Sequence, residues 1–316
     1  MTESRTFVFL LVEDFTHLAF SCAIEPLRIA NFVAGRELYR WSLAAEGGRD
    51  ARSSNGLLTR VDRGLDPLDR DERLFVVSGL NVERRVTPEI LAYLRRERVR
   101  GRGIGAICSG AYVLAEAGFL AGVEAAIHWA YHDLMAERFP EVILRPNVFV
   151  AGPRFDTASG GTAAADLMLH LIGRDHGEDL ATEVADQMVY NAVREGSARQ
   201  RVSVQARFGT RNATLVQAIR MFEENLEAPP RPSEVAAGLG ISARQLERLF
   251  DRHLGTSPKR YAMELRLNRA RNLIVQTEQS VAEIAMASGF TSTSHFSRVF
   301  RAKYGISPGA QRARLT

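Results

Sequence analysis

The last third of the chain contains an internal repeat, and this restricts the possible fold more than any other feature. "EVAAGLGISARQLERLFDRHLGTSP" (234–258) recurs as "EIAMASGFTSTSHFSRVFRAKYGISP" (283–308). Gly240 matches Gly289 at an offset of 49. Leu246, Arg248, Phe250, Gly255, Ser257 and Pro258 match Phe296, Arg298, Phe300, Gly305, Ser307 and Pro308 at an offset of 50, so the second copy has one extra residue in its turn. Each copy reads as helix, glycine-containing turn, helix, which is a helix-turn-helix. In the first copy Leu246, Leu249, Phe250 and Leu254 share one helical face and form core, while Arg244, Gln245, Glu247, Arg248 and Arg252 face outward. In the second, Phe296, Val299, Phe300 and Tyr304 are core, and Ser294, His295, Ser297, Arg298 and Arg301 face outward. A small, capped helix with a polar face is what a DNA major groove admits. The connector "SPKRYAMELRLNRARNLIVQ" has Ser257 as cap, Pro258 at its first position and an apolar stripe of Met263, Leu267, Ala270 and Ile274. A rigid helix there holds both recognition helices on one face of a duplex, about one turn (~34 Å) apart.

Charge follows the repeat. Residues 211–316 carry 16 Lys and Arg against 9 Asp and Glu, while the rest carries 25 against 28. A basic end on a mildly acidic body implies a nucleic-acid-binding module attached to something else. No apolar stretch is long enough to span a bilayer, and "MTESRTFVFLLVEDF" reads as a strand and not as a signal peptide. Two cysteines, Cys22 and Cys108, give no disulfide framework and fit a reducing cytoplasm. No cofactor or metal motif is read.

Residues 6–190 alternate differently. Strand-like runs "TFVFLLV", "YRWSLAA", "RLFVVSG", "GIGAI", "NVFVAG" and "FDTASG" are interspersed with helical segments. These are "HLAFSCAIEPLRIANFV", "TPEILAYLRRERVR" with Thr87 as cap, residues 109–117, and "TAAADLMLHLIGRD". This predicts an α/β domain, a mostly parallel sheet with flanking helices, followed by an all-α domain of two helix-turn-helix motifs. The expected organisation is a sheet domain over 1–190, a polar, Arg-rich linker over 191–212, and the double motif over 213–316.

"GIGAICSGAYVLAEAG" (103–118) places Cys108 at a strand-to-helix corner, the layout of a nucleophile elbow. Ligands in parallel sheets sit at the carboxyl ends of strands, where Cys108 lies. A helix N-terminus there lowers a thiol pKa. The proline in "AIEPLRIAN" either kinks one helix, freeing the Cys22 carbonyl, or starts a fresh helix at Pro26.

Residues 213–311 resemble the AraC/XylS-type DNA-binding domain, with "EIAMASGFTSTSHFSRVFRAKYGISP" as the most specific stretch. "AICSGAYVLAEAGFLAG", "IHWAYHDLMAERFP" and "TASGGTAAADLMLHLI" resemble the ThiJ/PfpI superfamily, related to class I glutamine amidotransferases, over most of residues 5–190. The resemblance implies a flavodoxin-like fold for that domain. Both domains in this order resemble GlxA-type transcriptional regulators.

In the enzymes of the superfamily the elbow cysteine works with a histidine and an acidic residue. Cys108 and His128 match the first two, but Ala19 falls at the acidic position and can neither orient an imidazole nor take a proton. Glu13 and Asp14 sit on the strand end, and Glu25 lies further along the helix. Cys108 is therefore read as pocket wall before nucleophile. His128 is a ligand contact or a bonded core histidine, Trp129 is core or a ligand face, and Asp166 is a structural cap or ion-pair member.

The expected function is a sequence-specific DNA-binding regulator that responds to a small metabolite. The resemblance favours an activator; the expected protein is a cytoplasmic homodimer that acts with RNA polymerase. "AIEPLRIAN" resembles the branch that controls catabolism of amino acids, betaines and carnitine-like compounds, which implies an amine, betaine or amino-acid effector. Cys108, Ser109, Gly110, His128, Trp129, Glu25 and Asn81 are the expected ligand contacts. Glu25 would oppose a cation, Trp129 would offer its face, and Ser109 and Gly110 N–H groups would hold an anionic end. Arg244, Glu247, Arg248, Ser294, Ser297 and Arg298 are the expected contacts to double-stranded DNA. The rival is a cysteine hydrolase, amidase or glyoxalase-like enzyme; a third reading is a redox sensor using Cys108.

Overall fold

The run "RTFVFLL" becomes β1 (Arg5–Leu11), a strand buried on both faces from Phe7 on. Burial on both sides is the mark of a strand inside a parallel sheet. The computed structural model describes residues 4–200, 212–277 and 279–313. They fall into two compact units that divide after Arg201.

The first unit continues with α1 (His17–Ala34), β2 (Tyr39–Ala44), β3 (Asp50–Arg52), β4 (Leu58–Arg60), β5 (Glu72–Val77), α2 (Val82–Arg85), α3 (Pro88–Val99), β6 (Gly103–Ile107) and α4 (Gly110–Glu116). It closes with β7 (Glu124–Ala125), a 3-10 turn (Trp129–Tyr131), α5 (His132–Arg138), β8 (Ile143–Leu144), β9 (Phe149–Ala151), β10 (Phe155–Ala158), α6 (Ala163–His176) and α7 (Glu178–Gln187). The main sheet runs β2-β1-β5-β6-β10-β9, parallel except for β10 against β9. Alternation along the strands sorts the core into two layers. Phe7, Phe9, Phe75 and Val77 pack with α1, α6 and α7, while Val8, Leu10, Leu74 and Val76 pack with α3 and α4.

The expected strands and helices are present. The β3–β4 hairpin, the β7–β8 pair, α2, α5 and α7 are additional; the first two are short and too polar to show a period. α1 is one continuous helix with Pro26 buried inside it, so the fresh-helix reading does not hold. Among the described residues no helix is long and apolar enough to cross a membrane.

The first half of the expected linker is tied to the sheet unit. Asp166, fully buried in α6, accepts from Tyr190 Oη (3.0 Å), Arg194 N (2.8 Å) and Arg194 Nε (2.9 Å), the structural role expected of it. Gln200 Nε2 donates to the Ile127 and Asn147 carbonyls at 2.8 and 2.9 Å. Residues 201–211, the rest of that segment, lie outside the described residues.

The second unit is helical: α8 (Ala213–Glu224), α9 (Pro232–Gly238), α10 (Ala243–Leu254), α11 (Pro258–Gln276), α12 (Val281–Ala287), α13 (Thr293–Tyr304) and α14 (Pro308–Ala313). Side-chain caps set the starts of α10 to α13: Ser242, Ser257, Ser280 and Ser292 each accept from a backbone N–H three residues on. One core gathers Leu215, Phe222, Val235, Leu246 and Phe250 with Tyr261 and Leu265; the other gathers Ile284, Phe290, Phe296 and Phe300 with Leu267, Ala270 and Ile274. The first half of α11 thus belongs to one motif and the second half to the other.

Removing Asp166 leaves the Arg194 guanidinium without its buried carboxylate, at a cost of about 3 kcal/mol. Asp166→Ala should lower the stability of the sheet unit by that order and speed amide exchange first in residues 190–200. Unchanged exchange in that segment would show that Asp166 does not hold it.

Candidate functional site

β6 runs directly into Cys108, which adopts φ +62°. Asp14 after β1 (φ +64°) and Asn81 after β5 (φ +55°) are also left-handed, so the turns that follow three neighbouring strands each carry one such residue. Asp and Asn adopt it most readily; for cysteine it is strained, and such strain collects at functional sites. The corner is closely bonded. Cys108 N donates to Ala158 O at 2.9 Å, and Cys108 Sγ lies 3.5 Å from Thr16 Oγ1. Ser109 Oγ and Tyr131 Oη both donate to the Gly79 carbonyl, at 2.7 and 2.8 Å. Asp14 Oδ2 accepts from Asn81 Nδ2 (3.2 Å) and Arg85 Nε (2.9 Å), which links the ends of β1 and β5. Gly160 faces the thiol, and any Cβ there would lie 2.6 Å from Cys108 Cβ. Only glycine lets these two turns meet.

The expectation of a lowered thiol pKa does not hold. Burial pushes Cys108 up from its ordinary value and outweighs the lowering effects of Thr16 and the Ser109 N–H. In a site this dry the neutral thiol wins over the thiolate. Among the described residues no carboxylate or imidazole hydrogen-bonds the thiol, and Ala19 is fully buried at the position where an acid would stand. His128 is half-buried, and its Nδ1 accepts from Ala130 N at 3.3 Å. Burial, then the neighbouring His132, pushes its pKa down, so at neutral pH it is an uncharged imidazole with its proton on Nε2.

Cys108, Ser109, Gly110 and Asn81 share the strand-end corner. His128 and Trp129 border it, since their chain runs directly into Tyr131. Trp129 is 42% exposed, so the core reading of this residue is overturned. Its ring centroid lies 5.3 Å from that of His128. Glu25 is not brought to the corner. It is half-exposed, ion-paired with Arg28 at 2.7 Å, and about 12 Å along α1 from the helix start. Thr16, Tyr131, Asp14 and Arg85 were not anticipated. The polar cluster "EDFTH" directly after a buried strand was the available signal, because ligands gather at strand carboxyl ends. Among the described residues no group of His, Cys, Asp or Glu is placed to hold a metal ion.

In the second unit Arg244, Glu247 and Arg248 on α10, and Ser294 and Arg298 on α13, are exposed; Ser297 is partly so. Leu246, Phe250, Phe296 and Phe300 are fully buried beneath them, as the repeat predicts. Among the described residues Arg244, Arg248 and Arg298 make no ion pair. Two matched cationic faces, each held by an aromatic core, define a helix-turn-helix DNA-binding protein with an appended α/β domain.

A model of the DJ-1/PfpI family matches residues 5–174, and one of a helix-turn-helix domain matches residues 235–314. The HTH-type transcriptional regulator GbdR of Pseudomonas aeruginosa is 40% identical over 304 residues, covering 96% of this chain and 83% of its own. The regulator GlxA of Rhizobium meliloti is 37% identical over 307 residues, covering 97% and 95%. A solved AraC family transcriptional regulator from Pseudomonas putida, 25% identical, superposes with a TM-score of 0.53 over 58% of this chain and 99% of its own. The chain belongs to the GlxA-type transcriptional regulators, with a DJ-1/PfpI domain followed by an AraC-type DNA-binding domain. Relatives this similar over most of the chain are regulators and not enzymes, so the hydrolase reading is not favoured.

The raised thiol pKa has a measurable sign. The stability it contributes is present below the ordinary thiol pKa and is lost as pH rises through the folded value. In a Cys22→Ser background, Cys108 should react with a disulfide reagent more slowly than a free thiol at pH 8, and accelerate only at pH above the ordinary thiol range. Thr16→Val, which removes a lowering hydrogen bond, should slow it further. Thiolate-like reactivity at pH 7 would contradict the burial argument.

Proposed function

We propose that the protein is a cytoplasmic, homodimeric transcriptional activator that binds a small cationic or zwitterionic metabolite in its α/β unit. Its double helix-turn-helix unit reads a specific DNA site and presents the bound protein to RNA polymerase. The observation that carries the DNA reading is the matched pair of exposed arginines, Arg248 and Arg298, on equivalent helical positions. Arginine pairs bidentately with guanine O6 and N7, and Glu247 suits a cytosine amine. Arg244, Ser294 and Ser297 flank them. The effector reading is supported by the strained, polar strand-end corner and by resemblance to regulators of amine and betaine catabolism. Trp129 offers an exposed face to a cation, an attraction of ~0.5–2 kcal/mol. Asn81, His128 and the Ser109 and Gly110 N–H groups are the polar contacts this reading assigns to the effector. Glu25, ion-paired with Arg28 and about 12 Å along α1, is left out of the effector contacts.

Arg298→Ala should cost ~1–3 kcal/mol in binding and relax base preference in one half of a site selected from random duplexes. Arg248→Ala should do the same in the other half. Loss on all sequences alike, with the salt slope reduced by about one, would instead make both residues phosphate contacts.

A thermal-shift screen of amines, betaines and amino acids should give one chemical class of hit, since ligand at 100 times its Kd adds about 2.7 kcal/mol. Trp129→Leu should weaken the best hit, while Glu25→Gln should change it less. A neutral or purely anionic effector would overturn the charge argument.

A further inference from the structure

The two helix-turn-helix motifs are alike in sequence but differ at their turns. Gly240 and Gly289 occupy equivalent places, at φ +66° and +76°. At Gly240 a Cβ would meet nothing within 4 Å. At Gly289 it would lie 2.5 Å from the Leu226 carbonyl oxygen, 3.0 Å from Pro229 Cδ and 3.1 Å from the Glu227 carbonyl oxygen. Leu226–Pro229 belongs to the first motif, in the loop between α8 and α9. The turn of the second motif is therefore seated directly on the backbone of the first.

Two arginines of α11 reinforce this seat. Arg269 Nη2 donates to Glu227 Oε1 at 2.9 Å, and the Arg269 side chain is only 13% exposed. Arg266 Nε donates to Ser288 O at 3.0 Å, and its Nη2 bonds the Gly289 carbonyl. Its guanidinium also lies 4.1 Å from the centroid of the Phe290 ring, which is buried in the second core. The offset of 49 that relates Gly240 to Gly289 places Gln217 and Arg220 of α8 opposite Arg266 and Arg269, and among the described residues neither side chain bonds the first turn. Among the described residues the cationic grip is made only at the second turn.

We infer that the contact of Gly289 with the Leu226–Pro229 loop, braced by Arg266 and Arg269, sets the distance and rotation between the two recognition helices, and hence the half-site spacing the protein accepts. Packing of α11 into both cores fixes the two motifs along its axis. The seat at Gly289 fixes rotation about that axis, which a single shared helix leaves softer. One base pair inserted between half-sites turns the second by about 34° and shifts it by about 3.4 Å, so a rigid pair of readers discriminates spacing strongly. Gly289, Glu227, Arg266 and Arg269 act as positioning residues and touch no base.

The inference rests on the reading of DNA by both motifs, and the test separates the two. The full-length protein is bound to a duplex selected from random sequence, and to versions with one or two base pairs inserted or removed between its halves. Affinity and the footprint of each half are measured for wild type, Gly289→Ala, Gly240→Ala and Glu227→Arg. Gly240→Ala carries the same backbone strain without the contact and should keep the wild-type spacing profile. Gly289→Ala should lose about tenfold at the selected spacing relative to Gly240→Ala, and its preferred spacing should shift or flatten. Glu227→Arg, which repels Arg269 without backbone strain, should change the profile in the same sense. Matching profiles for Gly289→Ala and Gly240→Ala, with both halves footprinted, would overturn the inference and leave the two-motif reading intact. If Gly289→Ala footprints only the first half at every spacing, Glu227→Arg decides: a changed profile supports the seat and an unchanged one overturns it. A wild-type footprint over one half alone would overturn the two-motif reading and this inference with it.

Discussion

The DNA-binding unit depends on one helix that belongs to two cores. The first half of α11 contributes Tyr261 and Leu265 to the core beneath α10, and the second half contributes Leu267, Ala270 and Ile274 to the core beneath α13. Neither motif can bury its aromatic residues without its half of this helix. Phe250 and Phe296, each fully buried, then hold the recognition helices that carry Arg248 and Arg298. Truncating such a residue costs on the order of 3–5 kcal/mol, so the orientation of each cationic face is as secure as the core behind it. The charge is on the surface, but its placement is set by hydrocarbon.

A different constraint governs the α/β unit. Parallel strands leave their carboxyl ends together at one edge, and here the turns after three of them carry left-handed residues. The Gly79 carbonyl collects two hydroxyl donors, Ser109 and Tyr131, and so ties β5, the elbow and the 3-10 turn into one piece. The geometry is that of a nucleophile elbow, yet its electrostatics are not those of a nucleophile. With no acid at Ala19 and with burial dominating, the thiol stays neutral and His128 stays uncharged. A corner of this kind can recognise a ligand without attacking it.

Where periodicity and burial agree, the sequence was legible. The two-faced apolar runs of β1 and β5, the capped α3 and the repeated core positions of α10 and α13 all follow from spacing alone. The β3–β4 hairpin and α5 did not, because they are short and held by contacts from distant elements. At the candidate site Cys108 and Asn81 were found from their place at strand ends. Glu25 was misplaced because the phase of α1 does not reveal that Arg28, one turn on, takes its carboxylate. Trp129 showed the reverse error, since its apolar bulk suggested core while its chain lies at the surface. The seat of Gly289 was invisible because it joins residues some 60 apart in the chain, in a repeat whose two copies look equivalent.

A crystal structure of the full-length protein on its selected duplex tests this arrangement of the two motifs most directly. α10 and α13 should lie in successive major grooves on one face of the DNA, with Arg248 and Arg298 at base edges about one helical turn, ~34 Å, apart. One motif lying off the DNA, or both arginines turned to the phosphates, would contradict it.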